Sequence, residues 1–502
     1  MFIVKMKDGD NVAVAVKNIS SGTEIEKDLT ALNDIPQAHK IALQDLDKNS
    51  AVIRYGVVLG YVNRDVKKGE WINEHMLELP TPPDLDEMQY ATNIVTDLPK
   101  PNRTTWMGYK NEHSEFGGTR NILAIHTTVQ CVTGVLNVAV ERIRKELLPK
   151  YSNVDGVVPI NHSYGCGVAI DAPEAKVPIR TLHNLVKHPN FGGEVMVVAL
   201  GCEKLTLERL LDKEDNIEEN TITLQDCDGF DDMIETIMKM ADKKLSNLDK
   251  RRREELPLSS LFVGAQCGGS DAFSGIGGNT SVGYASDLLV SGGATVMFSE
   301  VTEVRDGVYL IAERCIDEKV GKRLADEMRW YDNYLAMGGV GRDANTTPGN
   351  KQGGLSNIVE KAMGSITKSG TAPIVEVLSP AEIPTKKGLI FGATPASDLV
   401  CGTSQLASGI GVQVFVTGRG TPYGLAATPV LKICTRNEMK EKWPDIIDIN
   451  AGPIGTGEAT IKEVGEDIFD YILDVASGIK QPYTEQYGIH NDLCIFNPAP
   501  IT

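Results

Sequence analysis

The sequence predicts an α/β protein built on parallel sheets, preceded by a small all-β module. Three observations carry this reading. Residues 1–80 hold short β-branched runs split by Gly turns, residues 79–105 are rich in proline, and from about 117 apolar strand-like runs alternate with helical segments. That alternation argues for a parallel sheet with helices on both faces, and such sheets bind ligands beyond the carboxyl ends of their strands.

In the first module, Val12 to Val16 and Val52 to Val58 read as strands, and Ser20-Ser21-Gly22 and Lys67-Lys68-Gly69 as turns. Pro80, Pro82, Pro83, Pro99 and Pro101 mark an extended linker. In the first α/β block, Asn121 to Thr128, Val154 to Ile160 and Val195 to Gly201 are apolar enough for buried strands, and Gly134 to Leu148 has helical spacing. An acidic, loop-rich stretch follows Lys204, then a helix from about Met233 to Leu248 and a wholly charged run, Asp249 to Glu255, that reads as a boundary. The second block offers strands at Leu261 to Gln266, Ala294 to Ser299, Leu389 to Ala393, Val412 to Thr417 and Ile446 to Asn450.

Bulk properties narrow the function. At roughly 100–200 residues per domain, a chain of 502 residues makes two to four domains. The formal net charge of −18 argues against a nucleic-acid grip, which needs a basic surface. No run approaches ~18 apolar residues, so no membrane span is expected, and Met1 to Asp10 lacks a secretory apolar region. Nine scattered cysteines without a C-x-x-C pair suit a reducing cytoplasm better than a disulfide framework.

The predicted strand ends carry polar, Gly-rich turns. They are Asn161 to Gly167, Gly201 to Lys204, Gln266 to Asp271, Ser299 to Asp306, Thr394 to Asp398, Thr417 to Gly424 and Asn450 to Glu458. Seven such turns loaded with Cys, Asp, Glu, Arg and Asn point to a ligand-binding face. Cys166, Cys202 and Cys267 could converge on iron, for which thiolate is a good ligand, and Asp271, Glu300 and Glu303 could supply oxygen. Arg305 and Arg419 could each fork onto a carboxylate, with Thr421 and Asn450 beside them in the last two turns. Each has a plainer alternative: the cysteines as buried packing, Asp271 as a helix cap, Arg305 as a structural ion pair. His162 could be a base, a ligand or a structural histidine, and His39 alone reads as a surface residue. P-loop, G-x-G-x-x-G, H-E-x-x-H and G-x-S-x-G motifs are absent, which removes the simple kinase, dehydrogenase, zinc-protease and esterase readings.

The turns quoted above resemble those of the altronate/galactarate dehydratase family. So do Phe191 to Val197, Gly283 to Val290, Trp330 to Leu335, Pro348 to Lys351 and the ending Phe496 to Thr502, and the likeness runs nearly the whole chain. The resemblance implies a β-clip (SAF-like) module over 1–80, a linker over 81–116, a middle α/β domain used in homodimerisation over 117–255, and a Rossmann-like domain over 256–502. It implies dehydration of a six-carbon aldaric acid, galactarate, to 5-dehydro-4-deoxy-D-glucarate with ferrous iron or another divalent metal. Altronate as substrate, or an inactive sugar-acid binding protein, are the alternatives. His39, Lys7 and His162 are then the acid/base candidates. Four positions depart from the family pattern: Lys7 replaces the His of its His-x-x-Asp-Asn turn, Ala38 replaces the Gly of Gly-His-Lys, His126 stands where Thr is usual, and Gly455 where Ala is usual.

Overall fold

The computed structural model describes residues 1–499 and 501; Pro500 and Thr502 of the terminal motif lie outside the described residues. The N-terminal module is all β. Strands β1 (Ile3–Val4), β2 (Val12–Ala15), β3 (Lys40–Ala42), β4 (Ala51–Arg54), β5 (Val57–Val62), β6 (Trp71–Ile72) and β7 (Leu77–Glu78) form two antiparallel sheets, ordered β1-β2-β3-β6 and β4-β5-β7. The single strand expected over Val52 to Val58 is a hairpin instead. It turns at Tyr55 and Gly56, both at positive φ (61° and 75°), and the apolar run hid a turn without a strong turn signature.

The linker runs without regular structure to Thr105–Gly108, which pairs antiparallel with Glu254–Pro257. The end of the charged run is therefore part of a two-stranded tie.

The middle unit has four parallel strands, β8 (Ile122–Thr127), β9 (Gly156–Ile160), β10 (Val197–Ala199) and β11 (Thr221–Thr223), ordered β9-β8-β10-β11. Helices α1 (Thr133–Arg142), α2 (Lys176–Val186) and α3 (Phe230–Leu248) cover it. α3 forms because Ile234, Ile237, Ala241, Leu245 and Leu248 recur at three- and four-residue spacing and are all buried; each Ile and Leu is worth roughly 1.5–3 kcal/mol when buried. β11 was not foreseen, because it is three residues long inside an acidic stretch.

The C-terminal unit is a seven-stranded parallel sheet. Its strands are β12 (Phe262–Cys267), β13 (Thr295–Ser299), β14 (Ile374–Leu378), β15 (Leu389–Gly392), β16 (Val412–Thr417), β17 (Val430–Cys434) and β18 (Ile449–Asn450), ordered β14-β15-β13-β12-β16-β17-β18. Its helices include α4 (Asn279–Ser291), α5 (Glu318–Met337), α6 (Ile358–Ile366), α7 (Asp398–Ser408) and α8 (Ile461–Ala476). α5 starts at Asp317, whose side chain accepts from Val320 N–H, and α8 at a Thr460/Glu463 capping box. β12 has β13 on one side and β16 on the other. The strand order therefore reverses at β12/β16, and the crevice beyond their carboxyl ends is where an open α/β sheet binds its ligand.

Candidate active site

The loops after β12 and β16 meet at that crevice. Gly418 and Arg419 N–H groups donate to Gly269 O at 3.2 and 2.9 Å. A Cβ at Gly269 would lie 2.8 Å from Thr421 Oγ1, and one at Gly268 would collide with the Asp398 carboxylate and the Phe415 ring. Glycine is needed here because two loops and a carboxylate share one small space.

Behind this turn lies a buried polar cluster. Cys267 Sγ and carboxylate oxygens of Glu300 and Glu303 all lie within 4.8 Å of one another. Two ammonium groups balance the two acids: Lys361 Nζ is 2.8 Å from Glu303, and Lys368 Nζ is 3.0 Å from Glu300. Lys368 also lies 3.4 Å from Cys267 Sγ and 2.6 Å from Ser365 Oγ. Ser365 Oγ in turn donates to Glu303 at 3.0 Å.

The protonation states follow from this packing. Burial pushes the Cys267 thiol up to about 12. Burial and the nearby Glu303 push Glu300 up to about 8. Burial also penalises the Glu303 charge, but Lys361 and Lys368 outweigh it and hold that carboxyl below its ordinary value. Glu300 sits at φ 83°, a strained position for a residue with a side chain and of the kind that clusters at functional sites. Asp398, at the first turn of α7, is raised to about 6 by burial and by Glu303.

A thiol and two carboxylates so grouped fit a divalent ion such as ferrous iron, which accepts sulfur and oxygen donors. The fit has one condition: the ion would take over the carboxylate oxygens now held by Lys361 and Lys368. A void of about 10 Å³ borders Cys267, Tyr55, Lys361 and Ser365. Beyond Thr302, Asn345 and Ser397 a more open groove of about 220 Å³ begins.

The N-terminal module covers the crevice from above. His39 is buried; its Nδ1 accepts from Trp71 Nε1 at 3.2 Å and its Nε2 lies 3.2 Å from Gln352 O. An indole N–H can only donate, so the His39 proton sits on Nε2 and points at that carbonyl. Burial, helped by Lys40, lowers the His39 pKa. The Gln352 side chain accepts from Arg419 Nη2 at 3.2 Å. Arg419 is exposed and has no acidic partner among the described residues, so its charge is open to a substrate carboxylate.

Comparison with known proteins places the chain. Residues 1–80 match the altronate/galactarate dehydratase SAF domain, 108–249 the D-galactarate dehydratase/altronate hydrolase second domain, and 258–501 the D-galactarate/altronate dehydratase C-terminal domain. Over 511 aligned residues it is 56% identical to galactarate dehydratase (L-threo-forming) of Escherichia coli (strain K12), covering 100% of this chain and 98% of that protein. The chain belongs to the galactarate/altronate dehydratase family. Two altronate dehydratases of this family are also similar: that of Bacillus subtilis (strain 168), 31% identical across 98% of each chain, and that of Escherichia coli (strain K12), 32% identical across 99% of each.

Not every predicted residue comes to the crevice. Cys166 and Cys202 are exposed on loops of the middle sheet, away from the buried group that Cys267 and Glu303 form with Glu300. Asp271 is buried and fully engaged: it accepts from the N–H groups of Phe273 and Ser274 and pairs with Arg436 Nε at 2.9 Å, so it holds its loop rather than offering a ligand. Arg305 is spent on Asp332 (2.9 Å) and on Pro83 O (3.0 Å) of the linker, the structural ion pair rather than the clamp. The Asn450 amide accepts from Gly452 N–H and donates to Asn437 Oδ1, which organises the loop after β18. His162, buried at the end of β9, has both ring nitrogens in local bonds, to Thr127 O and Tyr164 N–H. Lys7 is exposed, its stem lying against Gly56.

The family departures have physical settings. Ala38 keeps φ 73°, the left-handed conformation that favours the family's Gly. His126 is buried in β8 with its ring edge-on to Phe191, and its Nε2 has no partner among the described residues. Gly455 lies where a Cβ would be 3.1 Å from the Phe273 ring. No sequence motif singles out Lys361, Lys368, Ser365 or Gln352. Asp398 closes the Thr394 to Asp398 turn, whose sequence assigns it no role.

Proposed function

We propose that this chain is a hydro-lyase that dehydrates galactarate to 5-dehydro-4-deoxy-D-glucarate. The observation that carries this is 56% identity along the whole chain to a galactarate dehydratase, against 31–32% to two altronate dehydratases. The crevice chemistry supports it. The reaction removes a proton α to a carboxylate and expels the neighbouring hydroxyl as water. Arg419 binds a substrate carboxylate. Asp398, with a pKa of about 6, is ionised at neutral pH and takes the α-proton. The proton that Asp398 takes up then passes to the departing hydroxyl, which leaves as water, while the neutral His39 donates a hydrogen bond to that oxygen through Nε2–H. Lys361 and Lys368 hold the surrounding acid charge.

Ferrous iron belongs to the same reading, held by Cys267, Glu300 and Glu303. When bound it would act as a Lewis acid towards the substrate carboxylate and hydroxyl. A reducing cytoplasm suits nine free cysteines. Homodimerisation through the middle domain follows the family resemblance, and a solution mass near 109 kDa rather than 54.4 kDa, roughly double the chain mass as for a C2 pair, would support it. No helix among the described residues is long and apolar enough to cross a membrane.

The test is anaerobic turnover with ferrous iron, comparing galactarate with altronate by mass spectrometry of the keto-deoxy product. Preferential turnover of galactarate supports the proposal. Turnover of altronate alone keeps the family and discards the substrate, and binding without turnover of either moves the chain to a sugar-acid binding role.

A further inference from the structure

Glu360 and Lys361 are neighbours in the first turn of α6 and serve different clusters. Lys361 reaches into the C-terminal unit to Glu303. Glu360 turns towards the N-terminal module, where one carboxylate receives two cations. Lys40 Nζ lies 3.0 and 2.8 Å from its two oxygens, and Arg54 Nη1 pairs with Oε1. Side-chain exposure is 0% for Lys40, 1% for Arg54 and 0% for Glu360. Ser356 N–H adds a further donor to the carboxylate at 2.8 Å.

Burying three charges is a costly way to glue two surfaces, since well-packed apolar residues would hold as firmly. What the charges add is direction. Lys40 Nζ also donates to Gly354 O at 2.7 Å, and Arg54 Nη2 to Ala272 O at 3.0 Å. These carbonyls belong to the loops that wall the crevice. Between them, Gly354 at φ +86° lies so close to Ala38 O that a Cβ there would collide, and it would stand 3.1 Å from His39 N. His39 directly precedes Lys40, so wherever Glu360 fixes Lys40 it also fixes the imidazole beside Gln352 and Arg419.

We propose that Glu360 is a positioning residue for the dehydration: through Lys40 and Arg54 it seats the N-terminal module so that His39 is held at the β12/β16 crevice. The inference rests on the dehydratase reading above, in which His39 Nε2–H hydrogen-bonds the departing hydroxyl. Two variants and a double-mutant cycle test it on the full-length enzyme. Glu360→Gln leaves two buried cations without their acid; Lys40→Met keeps one cation on one acid and is the milder change if the first does not fold. Each is measured for galactarate turnover, alone and with His39→Ala, and for hydrogen exchange over residues 36–42 and 350–358.

The expected result is loss of exchange protection in both segments, with kcat down about 100-fold for Glu360→Gln, as misplacement of a reacting group produces. Adding His39→Ala should then lower kcat by less than about threefold more, because the imidazole is already displaced. Losses that multiply, or unchanged exchange protection, overturn the proposal. Full activity of His39→Ala also overturns it, while leaving the dehydratase reading intact. If the wild-type enzyme does not dehydrate galactarate, that reading fails, and exchange alone decides whether Glu360 seats the module.

Discussion

The ammonium of Lys368 lies 3.0 Å from Glu300 Oε2 with both side chains buried at the carboxyl end of β13. This pair, with Lys361 and Glu303 beside it, sets two ammonium groups against two carboxyl groups in the interior of the crevice. Breaking a buried pair by removing one partner typically costs about 3–5 kcal/mol. Lys368→Met should lower stability to urea by about that amount. Ferrous iron, bound by the freed Glu300 oxygens and stabilising the state that binds it, should recover more stability in this variant than in the wild type. Equal or smaller recovery would argue against Cys267, Glu300 and Glu303 as the metal site.

Gly268 is constrained by its neighbours rather than by its φ. A Cβ at this position would strike the Asp398 carboxylate and the Phe415 ring. Overpacking of this kind costs typically 1–3 kcal/mol, and here it also displaces the Asp398 carboxylate. Gly268→Ala should therefore fold with a modest loss in thermal midpoint and lose about 100-fold or more in kcat, as removal of a general base does. A variant with near-normal kcat would remove Asp398 from the mechanism.

The two arginines should separate cleanly. Arg419 has no acidic partner among the described residues, whereas Arg305 is tied to Asp332 and Pro83 O. Charged hydrogen bonds are worth about 1.5–3 kcal/mol, so Arg419→Ala should raise KM for galactarate about 10- to 100-fold with a small effect on stability. Arg305→Ala should lower the melting temperature and leave KM nearly unchanged. Steady-state kinetics and a melting curve of each variant decide.

The middle sheet should be acid-sensitive. Burial, with repulsion from His162, lowers His126 to about 3, and burial lowers His188 to about 4. Both are neutral in the folded chain, while in the unfolded chain they take up protons near 6.5. Below that pH the unfolded state binds more protons, so stability falls as pH drops from about 6.5 towards 4, by up to ~1.4 kcal/mol per pH unit per histidine. His126→Thr should flatten this slope. Urea midpoints at pH 7 and pH 5 for both proteins provide the check; an unchanged slope would contradict a buried neutral His126.

Much of the fold was legible because buried parallel strands are short apolar runs. The runs at Phe262–Cys267, Thr295–Ser299 and Val412–Thr417 stood out for that reason. β17 did not, because Lys432 interrupts it; that lysine is buried with its Nζ 4.0 Å above the Phe415 ring. At the site, Cys267 and Glu303 were visible as reactive residues in strand-end turns. Lys361 and Lys368 were not, because lysines on a helix normally read as solvated, and only the packing of α6 against the β13 loop turns them inward. Glu360 lies 320 residues after Lys40 and 306 after Arg54, a distance no local pattern spans. Asp271, Arg305 and Asn450 have the right chemistry for a site, but each is engaged by a neighbour, and for Arg305 that is the structural ion pair already open from its sequence.

The most direct test of the central claim, that dehydration takes place at the Cys267/Glu300/Glu303 cluster, is anaerobic galactarate turnover with ferrous iron by the wild type and Glu303→Gln side by side. The account predicts keto-deoxy product from the wild type and a kcat/KM lower by about 100-fold or more in the variant, the size of loss expected when a charged active-site group is removed. A Glu303→Gln enzyme within about tenfold of the wild type would place the chemistry elsewhere in the molecule.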